Sequence, residues 1–307
     1  MTDPVRTVFL GSGAFAVPVG EALRALPGVD LAAVVTAPTR PGSRGRPTDP
    51  PVAEWAREHE LPMLRPDRLR TQDAIGAVAE LVPDLLVLAD YGQIVPQALL
   101  DLPRFGALNL HPSLLPRHRG ASPIPAAILA GDEETGVTLM LMDAGLDSGP
   151  LVAHRRVKLR GHETAPQLEH ELAKVAAELL TGALPGWLNS DLVPLAQEEE
   201  GMTLTMPLRR SDGRLDPARG AAELERQVRA YQPWPGTFFE TPQGRVIIWH
   251  ARLKKGSAPP GTLVDGPAIA TADGLLELVE VQPAGGRRMS GAELIRGRPA
   301  LIGWILG

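Results

Sequence analysis

Three polar side chains near the middle of the chain have the types and spacing for acyl-transfer chemistry. Asn109 and His111 alternate along the apolar run "GALNLH", so both point to the same face of the predicted strand. Asp147 follows a second apolar run, in "MLMDAGLDSGP", where glycines indicate a loop. An amide and an imidazole can stabilise an oxyanion, and a carboxylate can orient the imidazole or relay a proton. If the three meet, the reaction needs no serine or cysteine nucleophile.

The same residues also have a structural interpretation. A buried polar group without a partner costs about 1–3 kcal/mol, so Asn109 and His111 either support the loop after their strand or take part in chemistry. On its own the pair favours support. Asp143, on the same loop as Asp147, is typical of a turn residue. The second polar strand end, at Asp147, is what makes a reaction site the better interpretation.

The segments that must position these residues predict an α/β fold. Apolar strands such as "RTVFLG", "LAAVV", "LLVLAD" and "GALNLH" alternate with helical patterns through the first part of the chain. This alternation is typical of a parallel, Rossmann-like sheet covered on both faces. Ligands of such sheets bind at the carboxyl ends of the strands, which is where Asn109 and His111 lie.

The glycine turn "GSGAFA" after the first strand invites a dinucleotide-binding interpretation. That fingerprint also needs an acidic residue at the end of the second strand, and this strand ends in Thr36, Ala37 and Pro38. The turn therefore indicates a tight strand-to-helix connection whose amides face a ligand or water, and nicotinamide or flavin binding becomes a minor option.

Length and composition predict two domains. The chain has 307 residues, 44% of them hydrophobic. We expect a catalytic domain over residues 1–190, a linker over 191–207 and a smaller domain over 208–307, where short strands fit an OB-like β-barrel or a sandwich. Residues 201–307 carry 14 basic against 10 acidic residues, although the whole chain has a net charge of −5. This excess points weakly to a polyanionic partner.

Other features limit the chemistry and the location. The chain contains no cysteine, which excludes disulfides, thiol nucleophiles and cysteine-ligated metals. His111 and His118 are the one histidine pair that invites a metal interpretation, but their spacing in a proline-rich loop is not typical of metal ligands, so we expect no metal. There is neither a long apolar run nor a secretory signal pattern, which predicts a cytoplasmic protein without a membrane partner.

Two long motifs resemble the folate-dependent formyltransferase family. "LNLHPSLLPRHRGASPI" contains its Asn-x-His-x-Ser-Leu-Leu-Pro signature, and "GDEETGVTLMLMDAGLDSGPLV" contains its Leu-Asp-Ser/Thr-Gly loop. The resemblance continues through "TAPTRPGSRGRP", "ADYGQIVP", "LERQVRAYQPWPG" and "VQPAGGRRMSGAEL". Within the family, the likeness is strongest to members that act on methionyl initiator tRNA.

The resemblance implies transfer of a formyl group from 10-formyltetrahydrofolate to the free amino group of methionine on initiator tRNA. It assigns oxyanion stabilisation to Asn109 and His111, and tuning of the histidine and proton movement to Asp147. The amine attacks the formyl carbon directly, so no covalent enzyme intermediate is implied. We expect a monomer with no protein partner.

The resemblance also implies two binding sets. The folate pocket would be lined by nine residues: Leu88, Ala89, Asp90, Tyr91, Gly92, Ser113, Leu114, Leu115 and Pro116. The acceptor end of the tRNA would meet the arginines of "TRPGSRGRPTDPP": Arg40, Arg44 and Arg46. Of these we expect Arg44 to matter most.

The chain departs from the family pattern at two places. Gly11-Ser12-Gly13 stands where Gly-Thr-Pro is usual, and Pro112 stands where glycine is common. Neither change touches the three candidate catalytic residues, so activity should be intact. The alternatives are formyl transfer to a small amine, such as glycinamide ribonucleotide or an amino-sugar nucleotide, and a non-catalytic folate- or RNA-binding homologue.

Overall fold

The computed structural model describes residues 3–41 and 47–306. The chain divides into two compact units that each contain more than one segment. Unit 1 consists of Met1–Pro123, Glu134–Lys158 and Glu169–Thr205. Unit 2 consists of Ile124–Glu133, Leu159–Leu168 and Met206–Gly307.

Unit 1 is built on a mixed sheet of seven strands. They are β1 (Val5–Gly11), β2 (Val29–Val35), β5 (Met63–Leu64), β6 (Leu85–Ala89), β7 (Ala107–His111), β9 (Glu134–Leu141) and β10 (Leu151–Lys158). Their order across the sheet is β10-β9-β7-β6-β1-β2-β5. Two short pairs stand apart from it: β3 (Arg40–Pro41) with β4 (Pro47–Thr48), and β8 (Arg119–Gly120) with β11 (Leu204–Thr205).

Helices connect the strands of unit 1. In chain order they are α1 (Ala16–Ala25), α2 (Pro51–Glu58), α3 (Gln72–Ala79), α4 (Gln97–Leu100) and, from Glu169 onward, α6 (Ala165–Leu188), whereas α5 (Pro123–Ala130) belongs to unit 2 from Ile124 onward. Every residue of β6, "LLVLA", is buried, which is the pattern of a strand covered on both faces.

The predicted α/β fold with a mainly parallel sheet is confirmed. Strands β5, β2, β1, β6 and β7 are parallel to one another, whereas β9 runs antiparallel to β7, and β10 runs antiparallel to β9 at the edge of the sheet. The nine residues between β9 and β10 are too few for the crossover that a parallel pair requires, so these two strands form an antiparallel hairpin.

Strand β7 places the first two candidate residues at its carboxyl end. Leu108 and Leu110 are buried, and the side chains that alternate with them belong to Asn109 and His111. Against β9, Asn109 pairs with Met140 and His111 with Thr138. The strand then ends, so both polar side chains lie at the carboxyl edge of the sheet, as the alternation predicts.

Unit 2 contains an antiparallel sheet. Its elements are α7 (Ala221–Ala230), β12 (Thr237–Thr241), β13 (Gly244–Lys254), β14 (Leu263–Val264), β15 (Ala268–Ala270), β16 (Leu275–Pro283), β17 (Met289–Ser290) and α8 (Gly291–Gly297). The strand order is β12-β13-β16-β15-β14, with β17 beside β16. In the described part of the chain no pairing joins β12 to β14, so the structure establishes an antiparallel sheet and not a closed barrel.

No helix among the described residues is both long enough and apolar enough to cross a membrane.

Candidate active site

The structure brings Asn109, His111 and Asp147 together. The Asn109 amide donates from Nδ2 to Oδ1 of Asp147 at 3.3 Å. Nδ1 of His111 lies 3.6 Å from the other carboxylate oxygen, Oδ2. Asn109 and His111 come from strand β7 and Asp147 from the loop after β9, and the carboxylate is the group that both other side chains approach.

A tight loop after β9 positions Asp147. The backbone of Asp147 has a φ of 49°, in the left-handed region, and the N–H of Gly120 donates to its Oδ2 at 2.8 Å. Asp143 accepts from the N–H of Gly145 at 2.9 Å and from the hydroxyl of Ser148, as expected of a turn residue. The carboxylate of Asp147 is thereby aimed by main-chain contacts as well as by Asn109.

Hydrogen bonding fixes the orientation of the His111 ring. Its side chain is 5% exposed, and Nε2 lies 2.9 Å from the main-chain oxygen of His118. A carbonyl oxygen can only accept, so Nε2 carries a hydrogen and Nδ1 faces Asp147. A favourable contact between Nδ1 and the carboxylate then needs one further proton between them.

The first main-chain amides of the glycine turn have hydrogen-bond partners within the protein. The N–H groups of Ser12 and Gly13 both donate to the main-chain oxygen of Asp90, at 2.9 and 3.3 Å. A Cβ atom on Gly13 would lie 1.7 Å from Oδ2 of Asp90. The departure from the family pattern at Gly13 therefore has a physical reason, because the Asp90 carboxyl occupies the space of a side chain there.

The environment of Asp90 shifts its titration. Although the residue as a whole is exposed, its carboxyl lies against the Gly13 backbone, and the loss of water there, together with the nearby Glu169 carboxylate, raises the pKa of Asp90 to about 7. Burial also raises the pKa of Glu169, partly offset by a hydrogen bond from the N–H of Phe15. The sequence placed Asp90 in the folate set and missed this proximity to Gly13 and Glu169.

The predicted folate residues occupy two loop starts. Leu88 and Ala89 are buried in β6, and Tyr91 is 5% exposed. These three residues therefore meet a ligand mainly through their main chain, whereas Asp90 and Gly92 are exposed. After β7, the Thr138 hydroxyl donates to the oxygen of Ser113 at 2.7 Å and accepts from the N–H of Leu115 at 3.2 Å. Thr138 thus pins the segment that contains Ser113, Leu114, Leu115 and Pro116.

A cleft of about 310 Å³ joins parts of both predicted binding sets. Asp90, Tyr91 and Gly92 line it together with Gly13 and Arg40. The Asn109, His111 and Asp147 cluster is not among its lining residues. Arg44 and Arg46 lie outside the described residues.

Asp49 organises the opposite wall of this cleft. Its carboxylate accepts from the Arg65 guanidinium at 2.7 Å and is also paired with Arg57 and with the Thr39 hydroxyl. These contacts, with the Thr39 hydroxyl the largest cause, hold the pKa of Asp49 well below its usual range. Arg40, in contrast, is exposed, and within the described residues its guanidinium has no ion-pair partner.

Within residues 3–41 and 47–306, no group of three or more histidine, aspartate or glutamate side chains is arranged to hold a metal ion.

Comparison with known proteins identifies the family. Residues 5–184 match the model of the formyl transferase family, and residues 207–299 match that of the formyl transferase C-terminal domain. The chain belongs to the formyl transferase family. The resemblance inferred from the two motifs is thereby confirmed.

Full-length relatives narrow the comparison within this family. The methionyl-tRNA formyltransferase of Myxococcus xanthus is 43% identical over 298 residues, 95% of each chain. That of Thermus thermophilus is 42% identical over 308 residues, 99% of each chain. Among solved structures, HypX from Aquifex aeolicus in complex with tetrahydrofolic acid is similar with a TM-score of 0.62 at 19% identity, over 95% of this chain and 47% of that chain.

Sequence reasoning missed a group of residues beside the site. Gln197, Thr203 and Thr205 lie in the predicted linker, yet each hydrogen-bonds to the loops that carry His118, Gly120 and Asp147. The alternation of threonines in "MTLTM" is a weak strand signal that could have indicated the short strand β11. Gln197 gives no such signal.

Proposed function

We propose that this chain transfers the formyl group of 10-formyltetrahydrofolate to the α-amino group of methionyl initiator tRNA, giving formylmethionyl-tRNA and tetrahydrofolate. The observation that carries this is similarity over 95% or more of the chain to methionyl-tRNA formyltransferases, in both family domains. The cluster of Asn109, His111 and Asp147 supplies the groups that such a reaction needs.

The chemistry follows from these three side chains. The neutral amine attacks the formyl carbon, and the carbonyl oxygen becomes an oxyanion. The second amide hydrogen of Asn109 and the positive charge of a protonated His111 ring stabilise this oxyanion. The proton lost by the attacking nitrogen passes to the Asp147 and His111 pair. When the tetrahedral intermediate collapses, its bond to N10 of the folate breaks and N10 takes up a proton. The formyl group and the protons are balanced in these steps, and no covalent bond to the enzyme forms.

We assign the folate co-substrate to the ends of two neighbouring strands. Leu88 and Ala89 end β6 and lead into Asp90, Tyr91 and Gly92, and the segment from Ser113 to Pro116 follows β7, the neighbour of β6 in the sheet. The carboxyl ends of neighbouring parallel strands form the binding edge of such sheets. The Thr138 contacts keep the second loop rigid, which lowers the entropy lost on binding. A tetrahydrofolate complex of the similar HypX supports the same ligand class.

For the tRNA, the Arg40 guanidinium beside the cleft, which has no ion-pair partner among residues 3–41 and 47–306, supports contact with a phosphate. We assign Arg44 and Arg46 to the same role, and we assign the basic excess of residues 201–307 to the tRNA body. The proposal is completed by a partly open, OB-like arrangement of the strands in residues 208–307, a monomeric state and a cytoplasmic location.

The test offers 10-formyltetrahydrofolate with methionyl initiator tRNA, glycinamide ribonucleotide and an amino-sugar nucleotide in separate reactions. We expect formylation of the tRNA alone, with uncharged tRNA as the control. Formylation of a small amine instead would replace the proposed acceptor, and turnover of none would favour a non-catalytic binding protein.

A single substitution tests the tRNA contact. Arg44→Ala should raise KM for methionyl-tRNA and reduce its salt dependence by the equivalent of about one phosphate contact, because one cation is lost. The KM for 10-formyltetrahydrofolate should stay the same. An altered folate KM with an unchanged tRNA KM would remove Arg44 from the tRNA site.

A further inference from the structure

The segment from Leu195 to Thr205, here called the strap, runs back over the loops of the candidate active site after α6 ends. At its start, Leu195 and Leu151 exchange two backbone hydrogen bonds, of 2.7 and 2.8 Å. At its end, β11 pairs in parallel with β8. The strap, itself part of unit 1, is therefore hydrogen-bonded at both ends to earlier segments of that unit, next to the loops that hold His118 and Asp147.

Gln197 in the strap links the two loops with one side chain. Its Nε2 donates to the main-chain oxygens of Asp147, at 2.9 Å, and Gly149, at 2.7 Å. Its Oε1 accepts from Nε of the buried Arg119 at 3.0 Å. The carboxamide thus fixes the backbone of Asp147, the residue whose left-handed φ sets the direction of the carboxylate.

Thr203 and Thr205 hold the other loop. The N–H of His118 donates to Oγ1 of Thr203 at 2.8 Å, and the oxygen of the same His118 accepts from Nε2 of His111. Thr205 donates from its hydroxyl to the oxygen of Arg119 at 3.1 Å. A Cβ atom on Gly120 would lie 2.3 Å from the main-chain oxygen of Thr205, so the close approach of the strap requires glycine at position 120.

These contacts act on the main chain of the residues that orient the reacting groups. The carboxylate of Asp147 accepts from the N–H of Gly120, and the ring of His111 donates to His118. The strap forms hydrogen bonds with main-chain atoms of both loops, at Asp147, His118 and Arg119. A shift of the strap therefore changes the distance between Nδ1 of His111 and Oδ2 of Asp147 without touching either side chain.

We propose that Gln197 and Thr203 are positioning residues for formyl transfer, which keep His111 and Asp147 in register through the main chain of the two loops. This rests on the proposed function. A purely structural anchor would lower stability but leave the turnover of the folded protein unchanged. A positioning role lowers kcat, because misplacement of a catalytic group by about 1 Å costs on the order of 10²-fold.

Two pairs of variants separate these roles. Gln197→Glu keeps the size and the acceptor for Arg119, but it replaces the amide donor with an oxygen that the carbonyls of Asp147 and Gly149 repel. Thr203→Val keeps the shape and loses the acceptor for the His118 N–H, while Thr203→Ser retains it. Glu199→Ala is the matched control within the strap, because this carboxylate is 80% exposed and lies 3.8 Å from Arg119.

The measurement is kcat and KM for methionyl-tRNA and for 10-formyltetrahydrofolate, with thermal unfolding of each variant. We expect kcat to fall about 10- to 100-fold in Gln197→Glu and about 10-fold in Thr203→Val, with both KM values within about twofold of wild type. Thr203→Ser and Glu199→Ala should keep wild-type kcat.

The positioning role is overturned if Gln197→Glu and Thr203→Val fold and turn over like wild type, if only KM changes, or if Thr203→Ser is as slow as Thr203→Val. Failure of the proposed function has a different signature, since the wild-type chain itself would then not formylate methionyl-tRNA. In that case the same kcat comparison is made with whichever amine the wild type formylates.

Discussion

Asp147 and Asp90 of unit 1 both lie beside tight loops, but the surroundings of their carboxyl groups differ. Both oxygens of Asp147 have donors, from Asn109 and from the N–H of Gly120. The Asp90 carboxyl has no hydrogen-bond donor within the described residues, and its neighbours are the Gly13 backbone and the Glu169 carboxylate. One group is oriented by its partners, whereas the titration of the other is set by crowding and a like charge.

The difference shows what each carboxyl can contribute. A carboxylate with two directed donors keeps one geometry and can hold an imidazole in place for proton transfer. A carboxyl without donors has no such fixed direction, and its protonation changes near neutral pH. We therefore expect activity to depend on Asp147, and pH-dependent stability to depend on Asp90.

The largest expected effect distinguishes the two by activity. Asp147→Asn should lower kcat about 10²- to 10⁴-fold, because the charge that balances the His111 proton is lost. Asp90→Asn should lower kcat/KM about tenfold or less, the scale of one hydrogen bond between the Asp90 carboxyl and the bound folate. Steady-state formyl transfer on folded variants measures both. Equal losses in the two variants would contradict the assigned difference.

The contact between Gly13 and Asp90 gives an effect of intermediate size. Gly13→Ala should lower the free energy of unfolding by about 1–3 kcal/mol, because the new Cβ overlaps the Asp90 carboxyl. Combination with Asp90→Gly should recover most of that loss, which denaturant unfolding of the four proteins in a double-mutant cycle measures. Additive losses would show that the two residues do not share this space.

The smallest expected effect is on the pH dependence of stability. Because the pKa of Asp90 is raised to about 7 in the folded chain, the folded state binds more protons than the unfolded state between about pH 4 and pH 7. Stability from this group is therefore present at low pH and lost as the pH rises through that window, and Glu169 acts in the same direction. Exposure screens the effect to about 1 kcal/mol or less.

Unfolding free energies of wild type and Asp90→Asn at a series of pH values test this. The variant should lose less stability than wild type between pH 4 and pH 7. Parallel curves would mean that Asp90 titrates at the same pH in the folded and unfolded chain.

The sequence was sufficient for the sheet and for the shared face of Asn109 and His111, because the alternation in "GALNLH" is a local pattern. Strand geometry alone does not bring Asp147 to them, because β9 runs antiparallel to β7 and the loop after β9 has to reach back along the sheet. The Gly13 and Asp90 contact joins residues from two distant loops, and no periodicity indicates it. The contacts of the strap could not be predicted from the sequence, because Gln197 binds main-chain oxygens. Every residue has such an oxygen, so no residue type marks the partner.

The strap also decides where unit 1 can be cut. A fragment ending at residue 184, the last residue of the first family match, or at residue 190 lacks Gln197 and Thr203. Its Asp147 loop and His118 loop would each lose a clamp supplied from later in the chain. The shortest fragment that keeps this site whole ends at Thr205, so an exchange of residues 206–307 between relatives should place its junction between Thr205 and Met206.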